Sequence, residues 1–129
     1  ANPGSDVGSM GLYTGSSSDA FSAYSRGTAA STLSFASGAI VERAVVLAEM
    51  KIGGPYIDMY KNGSLTEHNT SSQGTGNYGN RSFFIGARSG SGDYNLNGEI
   101  AALVIRGAAT SAPDKAGLAE YLNGKIVAY

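Results

Sequence analysis

Between Glu42 and Ile52 the chain alternates: Ala44, Val46, Ala48, Met50 and Ile52 share one parity, while Arg43, Glu49 and Lys51 hold the other. A strand sends successive side chains to opposite faces, so this spacing predicts a long strand with one buried face. A second strand is expected over Tyr56–Lys61, after Gly53-Gly54-Pro55. The Asn62-Gly63 that follows suits a type I′ turn, because both residues tolerate positive φ. Together these signals predict a hairpin.

Upstream, Gly11–Thr14, Ala20–Ser25 and Thr32–Ala36 are shorter candidate strands, separated by stretches rich in Gly, Ser and Asp. Downstream, residues 66–80 show no periodicity and are rich in Ser, Thr, Gly, Asn and Gln, which predicts a long exposed loop. Ser82–Arg88 reads as a strand and Ser89–Tyr94 as a glycine-rich turn. Glu99–Arg106 reads as a strand apolar on both faces, which requires cover on both sides.

The period then changes. Ser111 is placed to cap a helix, Pro113 falls in its first turn, Asp114 stands three residues after the cap, and Leu118, Tyr121 and Leu122 form one apolar stripe. Asn123-Gly124 is the expected stop. Residues 1–9 read as a flexible lead-in and residues 10–129 as one domain, of a size that buries a core without a staple. No period of 20 to 50 residues is visible, which disfavours propellers and solenoids.

The order of YIDMYKNG (56–63), SFFIGARSGSGDYNLNGEIAALVIRG (82–107) and SAPDKAGLAEYLNGKIVAY (111–129) resembles the closing region of laminin-G-like and concanavalin A-like domains. The resemblance covers roughly residues 41–129 and is weaker in the N-terminal half. It implies an all-β fold, an antiparallel two-sheet jelly-roll sandwich with one short C-terminal α-helix. The chain is shorter than the usual member, so one or more front-sheet strands are expected to be missing or supplied by a partner chain.

Composition narrows the function. Nine Lys and Arg against ten Asp and Glu, scattered singly, leave no basic stripe for a phosphate backbone, so nucleic acid is not an expected partner. No apolar run approaches the roughly 20 residues that cross a bilayer, and no membrane insertion is expected. The absence of cysteine removes disulfides, thiolate metal sites and cysteine nucleophiles. Nineteen glycines and only 15 % charged residues suit short strands joined by tight turns, and eight tyrosines with no tryptophan suit either a recognition surface or the wet edge of a sandwich.

Glucan-cleaving members of the family the chain resembles carry acids at alternate positions of one strand, and no such run occurs here. Glu42 and Glu49 fall on opposite faces by parity, so no enzymatic activity is expected. His68, the one histidine, reads as a solvated loop residue between Glu67 and Asn69. Asp93, Asn95 and Asn97 place oxygen ligands at alternate positions, a spacing calcium accepts, although one carboxylate is thin for that ion and a hydrogen-bonded turn is the competing reading. Sugar binding needs planar hydrogen-bonding groups beside an aromatic face. Tyr78, Asn80, Arg88, Asp93, Tyr94 and Asn95 would supply both from two loops at one end of the sandwich.

Two readings follow. One is a non-catalytic recognition module for a carbohydrate or cell-surface receptor, lectin-like, on a phage tail or a secreted surface protein. The other is a structural, oligomerising module of a virion or appendage, with a trimer as the expected homo-oligomer. Either implies an extracellular or virion setting. A glycan-cleaving enzyme ranks third, because its carboxylates are missing.

Overall fold

The computed structural model describes residues 7–14, 21–35, 43–54, 56–79, 84–85 and 99–126. Within these the protein is mostly β: two three-stranded antiparallel sheets and one C-terminal helix. The first sheet holds β1 (Ser9–Thr14), β2 (Phe21–Arg26) and β3 (Ala30–Ser34) in chain order. The second holds β4 (Val46–Lys51), β5 (Tyr56–Lys61) and β6 (Ser64–Asn69), again in chain order. Helix α1 spans Ala112–Ile126.

Alternation decides which faces meet. On β5, Ile57 and Met59 are fully buried while Tyr56, Asp58 and Tyr60 point the other way. On β4, Val46, Ala48 and Met50 turn toward the same core, as their parity predicts. The first sheet contributes Ala23, paired with Leu12 on β1 and Leu33 on β3. Ala23, Phe35, Ile57 and Met59 form the buried centre, with Phe21, Leu33, Val46, Ala48 and Met50 packed around it. The core therefore lies between the sheets. Burying a side chain the size of Phe35, Ile57 or Met59 contributes about 1.5–3 kcal/mol each.

The β5–β6 hairpin closes through Asn62 at φ 50° and Gly63 at φ 86°, the conformation expected of an Asn-Gly pair. Asn62 adds a second constraint: its Oδ1 accepts from Val45 N–H at 2.9 Å, and its own N–H donates to Val45 O at 2.9 Å. The turn is thereby tied to the start of β4. A register shift between Met59 and Tyr60 makes β6 bulge, so that Met59 pairs with Glu67 while Tyr60 pairs with Leu65.

Several expectations are corrected. Residues 66–69, read as the start of a loop, belong to strand β6. Thr66, Glu67, His68 and Asn69 carry no apolar alternation, so register with β5 makes the strand, not hydrophobicity. Glu99–Arg106 is not a strand: residues 99–109 are exposed and irregular. Helix α1 begins where its cap predicts, with Asp114 N–H donating to Ser111 Oγ at 3.3 Å and Lys115 N–H to Ser111 O at 2.9 Å. It runs through Asn123-Gly124 to Ile126, so the helix is 15 residues long and that pair does not stop it. The expected strand over Ser82–Arg88 and the turn over Ser89–Tyr94 lie almost wholly outside the described residues.

Candidate functional site

Directly opposite residues of an antiparallel pair share a face. Register places Glu49 of β4 opposite Asp58 of β5, and Asp58 opposite His68 of β6. A row of three titratable side chains thus crosses the outer face of the second sheet. Tyr56 and Tyr60 stand on either side of Asp58 along β5, about 13 Å apart at a strand rise of about 3.3 Å per residue.

Each member of the row is held. His68 Nδ1 meets Asp58 Oδ1. A carboxylate only accepts, so Nδ1 carries the hydrogen, and in the neutral ring Nε2 remains an acceptor. The Asp58 side chain is 16 % exposed and that of His68 53 %, so the acid is fixed in the sheet while the ring reaches water. Lys115 of α1 descends on the other end, its Nζ 2.5 Å from Glu49 Oε2 and 2.8 Å from the Tyr60 hydroxyl, with the ammonium 4.7 Å from the Tyr60 ring centre. The bond to Glu49, reinforced by the one to Tyr60, holds the Lys115 ammonium charged well above the ordinary lysine range, against a smaller opposing effect of burial. Burial, then the charges of Glu49 and Asp58, push the Tyr56 phenol up, so that it stays a neutral donor.

The face can therefore offer a fixed carboxylate, an imidazole edge and a tyrosine phenol to one polar ligand. Glu49 is already engaged by Lys115. The helix is seated here by contact as well as charge: Ala119 is buried, and a Cβ on Gly63 would lie 3.2 Å from the Ala119 methyl.

A second polar cluster lies at one end of the inter-sheet layer. Ser25 and Gln73 are fully buried, and Ser25 Oγ donates to Gln73 Oε1. With its one hydrogen committed, Ser25 accepts from the Tyr78 hydroxyl at 2.7 Å, while Gln73 Nε2 donates to Tyr56 O at 2.8 Å. The Gln73 carbonyl accepts from Gly27 N–H at 3.0 Å and Ala29 N–H at 3.1 Å. Thr28 N–H donates to Thr75 O at 3.1 Å, and Gly79 N–H to Gly8 O at 2.9 Å. Residues 70–79 are thereby clasped to the first sheet.

Of the residues singled out by sequence, Tyr78 belongs to this clasp. Its hydroxyl is committed to Ser25, and burial raises its pKa. Asn80, Arg88, Asp93, Tyr94 and Asn95, together with Asn97 of the calcium reading, lie outside the described residues. Among the described residues no group of three or more His, Asp or Glu is placed to hold a metal. His68, read as a solvated loop residue, is exposed as expected but stands on strand β6 and pairs with Asp58. Sequence reasoning weighed Glu49 only as a catalytic acid and passed over Tyr56, Asp58, Tyr60 and Lys115. The available signal was Tyr-x-Asp-x-Tyr, which puts two aromatics and an acid on one face of one strand.

A cavity of about 120 Å³ beside β4, lined by Leu12, Val46, Leu118 and their neighbours, is well below the roughly 300 Å³ of a small-molecule pocket. No protein-family model, curated protein sequence or solved structure matches this chain.

Proposed function

We propose that this chain is a non-catalytic recognition module that binds carbohydrate on the outer face of β4, β5 and β6. The observation that carries the reading is the row Glu49–Asp58–His68 with Tyr56 and Tyr60 flanking its centre. Sugars present adjacent hydroxyls and an apolar ring face. The Asp58 carboxylate accepts from hydroxyls, His68 Nε2 accepts from another, and the Tyr56 ring supplies flat contact at small entropy cost. The His68 end of this face, which reaches water, suits a stretch of glycan chain better than a single enclosed sugar. Two three-stranded antiparallel sheets with a closing helix support a β-sandwich, and on the resemblance of residues 41–129 alone we read the chain as a member of the concanavalin A-like group. Such a module acts where glycans are met, on an extracellular or virion surface such as a phage tail.

Glycan-array screening followed by titration calorimetry tests this. Asp58→Asn and Tyr56→Ala should each weaken the best ligand by about tenfold or more, the loss of one charge-assisted or stacking contact. A companion variant, Arg88→Ala with Tyr94→Ala, locates the ligand. If only that variant loses binding, the rim loops and not this face are the site. If no glycan binds, the reading fails.

A further inference from the structure

Among the described residues, 99–106 is an apolar run with its large side chains exposed. Ile100, Leu103, Val104 and Ile105 are 46 %, 47 %, 51 % and 57 % exposed. Four large aliphatic side chains within six residues, each about half exposed, are the composition of an interaction surface. Among the described residues none of 99–106 takes part in a backbone ladder or an interstrand bond. Val, Ile and Leu in sequence favour an extended backbone, and such a backbone is a template for a further strand. On its inner side the segment already rests on the protein, where Ala102, Leu103 and Val104 line the small cavity with Leu12 and Leu118.

We infer that this segment is covered by the same segment of a second copy of the chain, running antiparallel about a two-fold axis. Charge selects that partner and orientation. The apolar run carries one acid at its start, Glu99, and one base at its end, Arg106. Antiparallel association brings the acidic end of each copy beside the basic end of the other, twice. Parallel association sets like beside like. Paired charges within a Debye length of about 8 Å are only partly screened at physiological salt, so the difference favours the antiparallel orientation. Arg106 has a competing partner within its own chain, Asp114 at 3.7 Å, but both side chains are more than half exposed and the pair is a weak surface one. Pairing about a two-fold axis uses one patch on both copies, closes after two, and adds interstrand hydrogen bonds between them. The carbohydrate face is not needed for any of this, and the inference stands or falls without it.

Sedimentation equilibrium of the whole chain over a range of concentrations, with circular dichroism as the control for folding, provides the test. Wild type should show a monomer–dimer equilibrium. Glu99→Arg alone and Arg106→Glu alone should each weaken the dimer by about tenfold or more, since both junctions become like-charged. An equimolar mixture of the two variants should restore association as a mixed dimer, and so should the double variant. This rescue cannot come from a folding defect. Leu103→Asp should give a folded monomer. A chain that stays monomeric, a trimer, or a dimer unmoved by either charge reversal and by Leu103→Asp would each overturn the inference.

Discussion

Asp58 on β5 and His68 on β6 stand directly opposite one another, and the imidazole Nδ1 edge rests on the carboxylate that the sheet holds nearly out of water. The histidine end of this pair is more than half exposed. Cross-strand pairs of that kind contribute at most about 1 kcal/mol. His68→Ala is therefore expected to lower stability in urea by less than about 1 kcal/mol while weakening glycan binding severalfold. Equal losses of stability and binding would make the pair merely structural.

Lys115 predicts how stability responds to alkali. Its ammonium is held charged above the ordinary value of 10.5 by Glu49 first and Tyr60 second. A lysine raised on folding contributes stability that is fully present below its unfolded pKa and is lost as pH rises through the folded one. Helix docking should thus hold through neutral and mildly alkaline pH and weaken only above about pH 10. Lys115→Met should cost about 1–2 kcal/mol at pH 7, discounted for the partial exposure of both partners. It should also show a smaller alkaline loss than wild type in matched thermal melts.

Gln73 is the most constrained polar residue described: it is fully buried, and its side chain joins Ser25 to the Tyr56 carbonyl. Gln73→Ala strips both bonds and leaves buried partners unsatisfied, an expected loss of about 2–4 kcal/mol in chemical denaturation. Amide exchange of Gly27 and Ala29, whose N–H groups bond to the Gln73 carbonyl, should accelerate more than that of Ile57.

At the hairpin, Gly63→Val meets two objections. The residue sits at φ 86°, which a β-branched side chain resists, and a Cβ there lies 3.2 Å from Ala119. The expected cost is about 2 kcal/mol, with the helix loosened along with the turn. A helix signal that melts together with the sheet supports the contact. Asn62→Ala, which removes the acceptor of Val45 N–H, should cost about 1 kcal/mol.

These predictions divide by how much the sequence could have revealed. The turn at Asn62-Gly63, the parity of Val46, Ala48 and Met50, and the cap at Ser111 are local, so each is legible in a few residues. Strand β6 is not, because its one apolar residue, Leu65, is exposed and the strand is ordered by its neighbour. The Glu49–Asp58–His68 row is harder still. Parity along one strand says which face a residue takes, but only the pairing of three strands brings positions 49, 58 and 68 into line. The Asn123-Gly124 signal misled because a glycine ends a helix only if the chain turns there, and at this position the helix continues.

The clasp between Ser25 and Gln73 joins residues 48 positions apart. On a ribosome, β1, β2 and β3 emerge long before the residue that plugs the end of their inner face, and the Ile57 and Met59 that cover its centre follow only with β5. The first half of the chain must wait, with an uncovered apolar face, until position 79 has left the exit tunnel. Closure is thus a late, non-local event, the kind that slows folding and leaves a nascent chain open to wrong partners.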